Sequence, residues 1–214
     1  MNLREGCIPD DDGQRIAMRE RWLFSYVVDH DLGINPNPVG GLCTLAHCKF
    51  SQSGKRNLVE MAEEGDWVAG TGGQNHESAG NGKLIYAMRV TKKISLSRYL
   101  SSPQYAGRAD RFAETPNVHS RFVLISDEYY YFGRNAIDVA LIPNRHLTHP
   151  FEKRGMAYRH DFSEAFIRKF EEWLQHEFTP GIHGEPCAGC PPHWNSKGRG
   201  PCRPKRVCWS DPGC

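Results

Sequence analysis

Hydrophobic positions along the chain switch between a two-residue and a helical period, and the switches mark the elements. Residues 22–28, WLFSYVV, are aromatic and β-branched and predict a buried first strand. Residues 29–41, DHDLGINPNPVGG, are full of breakers and predict an irregular loop after that strand. Residues 57–64, NLVEMAEE, predict two helical turns with Leu58, Met61 and Ala62 inward and a stop at Gly65. Residues 66–71 (DWVAGT) and 83–92 (KLIYAMRVTK) predict two strands of a hairpin, with Leu84, Tyr86, Met88 and Val90 alternating on one face and a loop, GGQNHESAGNG, at the tip.

Residues 95–100 predict a short helix and 103–117 an irregular segment. Strand character returns over 121–132, RFVLISDEYYYF, with a turn near Asp127 and Glu128. The clearest helix is predicted over 163–178, capped by Asp161 with Glu164 three residues on, its Phe166, Phe170, Trp173, Leu174 and Phe178 forming one core-facing stripe. Pro180 and Gly181 end it. The pattern predicts an α+β class with a mixed, mostly antiparallel sheet and flanking helices, organised as an arm at 1–20, a main domain at 21–185 and a Cys-rich tail at 186–214.

Composition adds limits. The 214 residues are 39% hydrophobic and 24% charged, a globular balance, and the formal net charge of +2 makes any polyanion contact local. The first residues, MNLREGCIPDDDGQR, lack an apolar leader-like core, and the expectation is a cytoplasmic protein without a membrane partner.

Of the eight cysteines, Cys187, Cys190, Cys202, Cys208 and Cys214 crowd the tail. A Cys-x-x-Cys pair at 187 and 190 forms one knuckle, and tetrahedral zinc needs two further ligands, here Cys202 and Cys208, with His193 and Cys214 as substitutes. Such a site would be structural, since thiolates fill every position; the alternatives are reduced, unligated thiols or an iron–sulfur cluster. Arg199, Arg203, Lys205 and Arg206 make the tail the most basic patch, a candidate contact for DNA or RNA phosphate or a solvated surface.

Three further constellations carry candidate chemistry. Around the first loop, Asp31, Asn37 and Thr44 sit where Gly and Pro fix backbone geometry, followed by His47, Cys48, Lys49 and Arg56; a cation beside Cys48 favours its thiolate. At residues 65–73, GDWVAGTGG, a strand ends in Thr71, Gly72 and Gly73, which permits close approach of a ligand to backbone, without a phosphate-binding Gly-Lys motif. Tyr129 to Phe132 run directly into Arg134 and Asn135, a stacking surface beside a planar cation and an amide that can read a base edge. Tyr105, Arg108 and Asp110 form a set of the same kind.

The succession DLGINPNPVGGLCTLAHCK, GDWVAGTGG, GKLIYAMRV and YFGRNAI resembles the second type of nucleotide modification-associated domain over about residues 26–185. The resemblance implies a bacterial or phage protein that makes or recognises modified nucleotides or DNA bases, and Asp31, Asn37, Thr44, Cys48, Lys49, Thr71, Gly72, Arg134 and Asn135 fall on its polar motif positions. A second resemblance, in GDWVAGT, loop and GKLIYAMRVTKKISLSRY, is to PUA-like barrels of the EVE, YTH and ASCH kinds. It implies a barrel or strongly curved sheet, with Trp67, Tyr86 and Tyr105 around a flipped base. Three functions are expected from these residues. One is an enzyme acting on a nucleotide or nucleobase, with Asp31, Cys48, Lys49 and Asn135 catalytic and Asn37, Thr44, Trp67, Thr71, Gly72, Gly73, Tyr105, Arg108 and Arg134 binding. The second is a non-enzymatic reader of modified bases, and the third a zinc-stabilised interaction module.

Overall fold

The computed structural model describes residues 7–9, 15–17, 19–46, 57–111, 121–155 and 157–189. Its centre is a seven-stranded sheet formed by β3 (Leu23–Val28), β5 (Trp67–Gly72), β6 (Lys83–Arg89), β9 (Glu128–Tyr131), β10 (Ile137–Asp138), β11 (Tyr158–Arg159) and β12 (Gly181–Ile182). The order is β11-β3-β5-β6-β9-β12, with β10 pairing β6 beyond the end of β9. A three-stranded antiparallel sheet, β4 (Cys43–Leu45), β8 (Phe122–Ser126) and β7 (Lys92–Ser95), lies against it, and β1 (Cys7–Pro9) pairs with β2 (Arg15–Ala17). Two pairings, β3 with β5 and β9 with β12, are parallel and the rest antiparallel, so the mixed and mostly antiparallel α+β expectation holds.

A barrel does not form among the described residues. The strand order is an open path ending at β11 and β12, two-residue strands that leave little unpaired edge.

Two corners carry the chain between the sheets, one inside the run expected as a single strand and one at the turn expected near Asp127. The run 83–92 leaves the main sheet after Arg89 and enters the small one at Lys92; Val90 and Thr91 instead bond to Asp66 O and Ile125 O. The run 121–132 turns at Asp127, where the Ser126 hydroxyl donates to Glu128 O and accepts from Glu128 N, so that β8 and β9 serve different sheets. A register shift between Gly70 and Thr71 also breaks the predicted alternation on β6: Tyr86, Met88 and Val90 share one core with Ile85, whereas Leu84 joins the other.

The layers follow from which side chains meet. One face of the main sheet, with Leu23, Trp67, Ala69, Ala87, Tyr130 and Phe132, packs under α3 (Glu164–Glu177) through Phe166, Ile167, Phe170 and Leu174. The stripe is the predicted one, but the cap is Ser163, whose Oγ accepts from Phe166 N, and not Asp161, which lies too far from the first turn. The other face, with Phe24, Tyr26, Val28, Val68, Tyr86, Met88, Tyr129 and Tyr131, packs on Cys43, Leu45 and Leu124 of the small sheet and on Leu58 and Val59 of α1 (Leu58–Met61). Helix α1 is capped by Asn57 and is a single turn, ending where Glu63 N bonds the buried Asp66 carboxylate. Beyond the small sheet, Val123, Ile125 and Ile94 pack on Tyr99 of α2 (Leu96–Ser101) and on Tyr105.

Asp66 also fastens the segment that leads into β3. It accepts two hydrogen bonds from Arg19, at 3.0 and 2.9 Å, and one from Trp22 N at 2.8 Å.

Candidate functional site

Strand direction gathers loops at one edge. Because β6 is antiparallel to both β5 and β9, and β3 and β12 are parallel to those neighbours, β3, β5, β9 and β12 run the same way. Their carboxyl ends deliver residues 29–37, 73–82, 132–136 and 183–189 to a common rim, the kind of place where open sheets take ligands.

Asp31 joins these loops. Its Oδ1 accepts from Tyr131 OH at 2.5 Å and Gly33 N at 3.4 Å, and its Oδ2 accepts from Cys187 N at 3.0 Å. Its backbone donates to Glu77 O and accepts from Ala188 N. Asp31 is 1% exposed, and burial pushes its carboxyl above the usual carboxylate range against the lowering effect of these donors. The same burial, with the nearby carboxylate, holds the Tyr131 hydroxyl protonated and pushes the Cys187 thiol up to about 12. Asp31 therefore acts as a buried clamp between segments.

The glycines of the 65–73 motif serve the chain itself. A Cβ on Gly72 would collide with Gly80 O, and one on Gly73 with the Asp29 carboxylate. Gly73 N donates to Ser78 Oγ at 2.8 Å, and Thr71 Oγ1 donates to Tyr26 O at 3.2 Å in the interior. The close approach expected of a ligand here is made by Gly80 of the same loop and by Asp29 after β3.

Arg134 and Asn135 are the exposed part of the rim. Arg134 donates from N to Glu185 O at 2.8 Å and from Nε to Pro186 O at 3.0 Å, and its side chain is 40% exposed, with Glu185 Oε2 3.9 Å from Nη1. Asn135 donates Nδ2 to His183 O at 2.7 Å, which fixes the amide at the surface. Across the rim, the exposed His30 places Nδ1 2.7 Å from Glu77 Oε2 and Nε2 3.4 Å from Asn75 Nδ2. Neither His30 nor Glu77 stands out in the sequence; one flanks Asp31 and the other sits in the hairpin tip, and only the fold pairs them. Tyr131 had a signal, because it alternates with Tyr129 towards one face.

Asn37, Thr44 and Arg108 meet elsewhere, in a buried network centred on Asp110. Asp110 accepts from Thr44 Oγ1 at 2.5 Å, Tyr99 OH at 2.8 Å and Asn37 Nδ2 at 3.2 Å. Arg108 donates to the carbonyls of Asn37, Val39 and Leu42 and to Thr44 Oγ1. Tyr105 packs on Tyr99 with ring centroids 4.7 Å apart. The network fastens the 37–44 loop to the segment following α2, with Asn37, Thr44, Tyr99 and Asp110 buried and the Arg108 side chain 10% exposed. Burial raises the Tyr99 phenol, and Asp110 raises it further.

Trp67 lies at the opposite end of β5, 0% exposed, stacked near Tyr130 and edge-on to Phe170 in the core. His47, Cys48, Lys49, Arg56, Cys190, His193, Cys202, Cys208 and Cys214 lie outside the described residues. Among the described residues no group of three or more His, Cys, Asp or Glu could hold a metal, and no helix is long and apolar enough to cross a membrane.

No curated protein and no solved structure matches the chain. The family described as nucleotide modification associated domain 2 matches it over residues 20–119 and 111–192, a span holding the clamp, the rim and the Asp110 network. The chain belongs to the nucleotide modification associated domain 2 family.

Proposed function

We propose that the protein binds a nucleotide or nucleobase at the rim formed by the carboxyl ends of β3, β5, β9 and β12, in the service of its modification. The observation that carries this reading is that the buried Asp31 joins its own loop to Glu77, to Tyr131 at the end of β9 and to Cys187 and Ala188, while Arg134 and Asn135, bonded to the same 183–189 segment, remain exposed. Arg134 supplies a planar cation suited to phosphate or to a base acceptor edge, and Asn135 an amide suited to a base edge. Asp31, with Tyr131, Gly33 and Cys187, holds the loops in place. His30 with Glu77 offers an exposed acid–base pair on the same rim if the bound base is transformed there.

A reader that encloses a base with Trp67, Tyr86 and Tyr105 has less support, because all three rings are buried, at 0, 0 and 3% exposure. Zinc on Cys187, Cys190, Cys202 and Cys208 is a separate proposal that rests on spacing. Ligation there would have to draw the Cys187 proton from a thiol that burial and Asp31 hold protonated. Near one equivalent of zinc in protein purified without chelator supports it, and none rejects it.

Mass spectrometry of small molecules released by denaturing the purified protein tests the main reading. Recovery of a nucleoside or nucleotide that is lost from Arg134→Ala protein is expected. Absence of any such compound, together with no binding across a panel of nucleosides and nucleotides, would sink it.

A further inference from the structure

The flank of the main sheet beside the rim carries a basic and aromatic track. Residues 143–160, PNRHLTHPFEKRGMAYRH, hold four Arg or Lys against one Glu, a net of +3 where the whole chain carries +2. The segment is anchored at the rim: Glu152 Oε2 accepts from Gly82 N at 2.7 Å, in the loop between β5 and β6, and Phe151 is buried in the α3 core. Glu152 is thereby occupied on one oxygen, and its other oxygen lies 3.0 Å from Nε of Arg154, whose side chain is 80% exposed. Lys153 has no ion pair among the described residues. Pro150, Glu152, Lys153, Arg154 and Arg159 line a cavity of about 440 Å3.

From there the chain turns into β11, which is antiparallel to β3 and so leads away from the rim: Tyr158 lies opposite Tyr26, and Arg159 opposite Ser25. The exposed ring of His160 then stacks on Trp22, with centroids 5.1 Å apart and planes 8° from parallel, and Arg19 lies over the same indole. Six residues of β3 measure about 20 Å at roughly 3.3 Å each. One strand of a duplex advances about 3.4 Å per phosphate. The track is thus several phosphates long, more than a single nucleotide can use, and it joins cations to a stacked aromatic surface as single-strand and backbone-tracking sites do.

We infer that this flank binds the phosphodiester backbone of a polynucleotide and presents one of its nucleotides to the rim. The inference rests on the rim being the nucleotide site, and it specifies a polymer as the substrate. Arg19, Arg154 and Arg159 each have a carboxylate partner, in Asp66, Glu152 and Asp161, but Arg154 is the most exposed of the three at 80% and Lys153 beside it has no ion pair among the described residues, so these two cations are the most open to phosphate.

The test is fluorescence polarisation of labelled 20-nucleotide single-stranded DNA, duplex DNA and single-stranded RNA with full-length wild type, Lys153→Ala/Arg154→Ala, His160→Ala and Lys92→Ala, from 50 to 200 mM salt. Lys92 is exposed on β7, in the small sheet. Three phosphate contacts at a slope of about −0.9 each imply an affinity loss of roughly 40-fold over that range for wild type. The double variant is expected to bind at least about 10-fold more weakly at 50 mM with a slope flatter by about 2, and Lys92→Ala as wild type. For His160→Ala, weaker binding with an unchanged slope is expected. The three nucleic acids distinguish the kind of polymer; binding to any of them with this variant pattern supports the inference. Wild-type affinity in the double variant, an equal loss in Lys92→Ala, or no binding to any of the three overturns it. Mononucleotide binding measured in parallel separates this failure from failure of the rim itself.

Discussion

Removing the Asp110 carboxylate tests whether the buried network is what fixes the long loop between β3 and β4. In Asp110→Ala three donors lose their acceptor: Thr44 Oγ1, Tyr99 OH and Asn37 Nδ2, on residues no more than 1% exposed. Each buried donor left unmet costs about 1–3 kcal/mol, and Tyr99 OH recovers part of its loss because Thr44 Oγ1 lies 3.4 Å away. Arg108, with a side chain only 10% exposed and its Nε 3.9 Å from Asp110, also loses its nearest negative charge, although three carbonyls still hold it. Breaking a buried charge pair from one side costs about 3–5 kcal/mol, and the carbonyl contacts keep Arg108 near the low end. With every contribution at its low end the expected net loss is about 5–6 kcal/mol, which at a urea dependence of about 2–3 kcal/mol per molar lowers the unfolding midpoint by roughly 2 M. Asp110→Asn, which keeps one acceptor oxygen, should lose about half as much. Hydrogen exchange should show the Asn37 and Thr44 amides, which pair with each other's carbonyls, losing protection first. A midpoint shift below about 0.4 M for Asp110→Ala would mean that the network contributes little and that the loop is fixed by other contacts.

Other outcomes follow from single positions. Gly133→Ala requires a side chain at φ 53° and places its Cβ against Glu185 O, so it should destabilise by about 2 kcal/mol or more and displace the 183–189 segment, seen as a lower urea midpoint and faster exchange of the Arg134 amide. Phe170→Ala opens the core between α3 and Trp67 and should cost about 3–5 kcal/mol by the same unfolding measurement. Cys43 is fully buried and burial raises its thiol, so iodoacetamide should label it only along with global unfolding; peptide mapping that finds it modified in native protein would contradict the packing of the small sheet on the large one.

The elements with strong local periodicity were legible in the sequence. The α3 stripe declares itself because the helix buries one face along its length, and the β5–β6 hairpin because two apolar runs, buried on both faces, flank a loop full of breakers. The cap of α3 was misplaced because Asp161 and Ser163 are both good capping residues, and only the backbone path, with Ser163 Oγ on Phe166 N, selects one. The turn near Asp127 was expected, but neither corner announces a change of sheet: buried apolar residues stand on both sides, Val90 and Ile94 at one and Ile125 and Tyr129 at the other, and only the pairing partners differ. Strand β4 was hidden in a segment rich in Gly and Pro, and three residues are too few to show alternation.

The site was legible in type more than in arrangement. Asp31, Arg134 and Asn135 were singled out by residue chemistry and do meet at the rim, but the sequence treated Asn37, Thr44 and Arg108 as part of the same pocket. They are polar for a different reason: a long buried loop must satisfy its own carbonyls, and Arg108 with Asp110 does so. Trp67 carried an aromatic signal that does not distinguish a stacking platform from a core ring. His30 and Glu77 were passed over because 46 residues lie between them, and nothing local links an imidazole to that carboxylate.

The central claim is that the rim, and not the Asp110 network, receives a nucleotide. The direct measurement is calorimetric titration of a panel of nucleosides and nucleoside monophosphates into wild type, Arg134→Ala, Asn135→Ala and Asp110→Asn, each checked for folding by its unfolding midpoint. The account predicts that at least one ligand binds wild type, that Arg134→Ala and Asn135→Ala each weaken it about 5-fold or more, as loss of a charged or base-edge contact of about 1–3 kcal/mol requires, and that folded Asp110→Asn binds as wild type. Unchanged affinity in both rim variants, or a loss confined to Asp110→Asn, would contradict it.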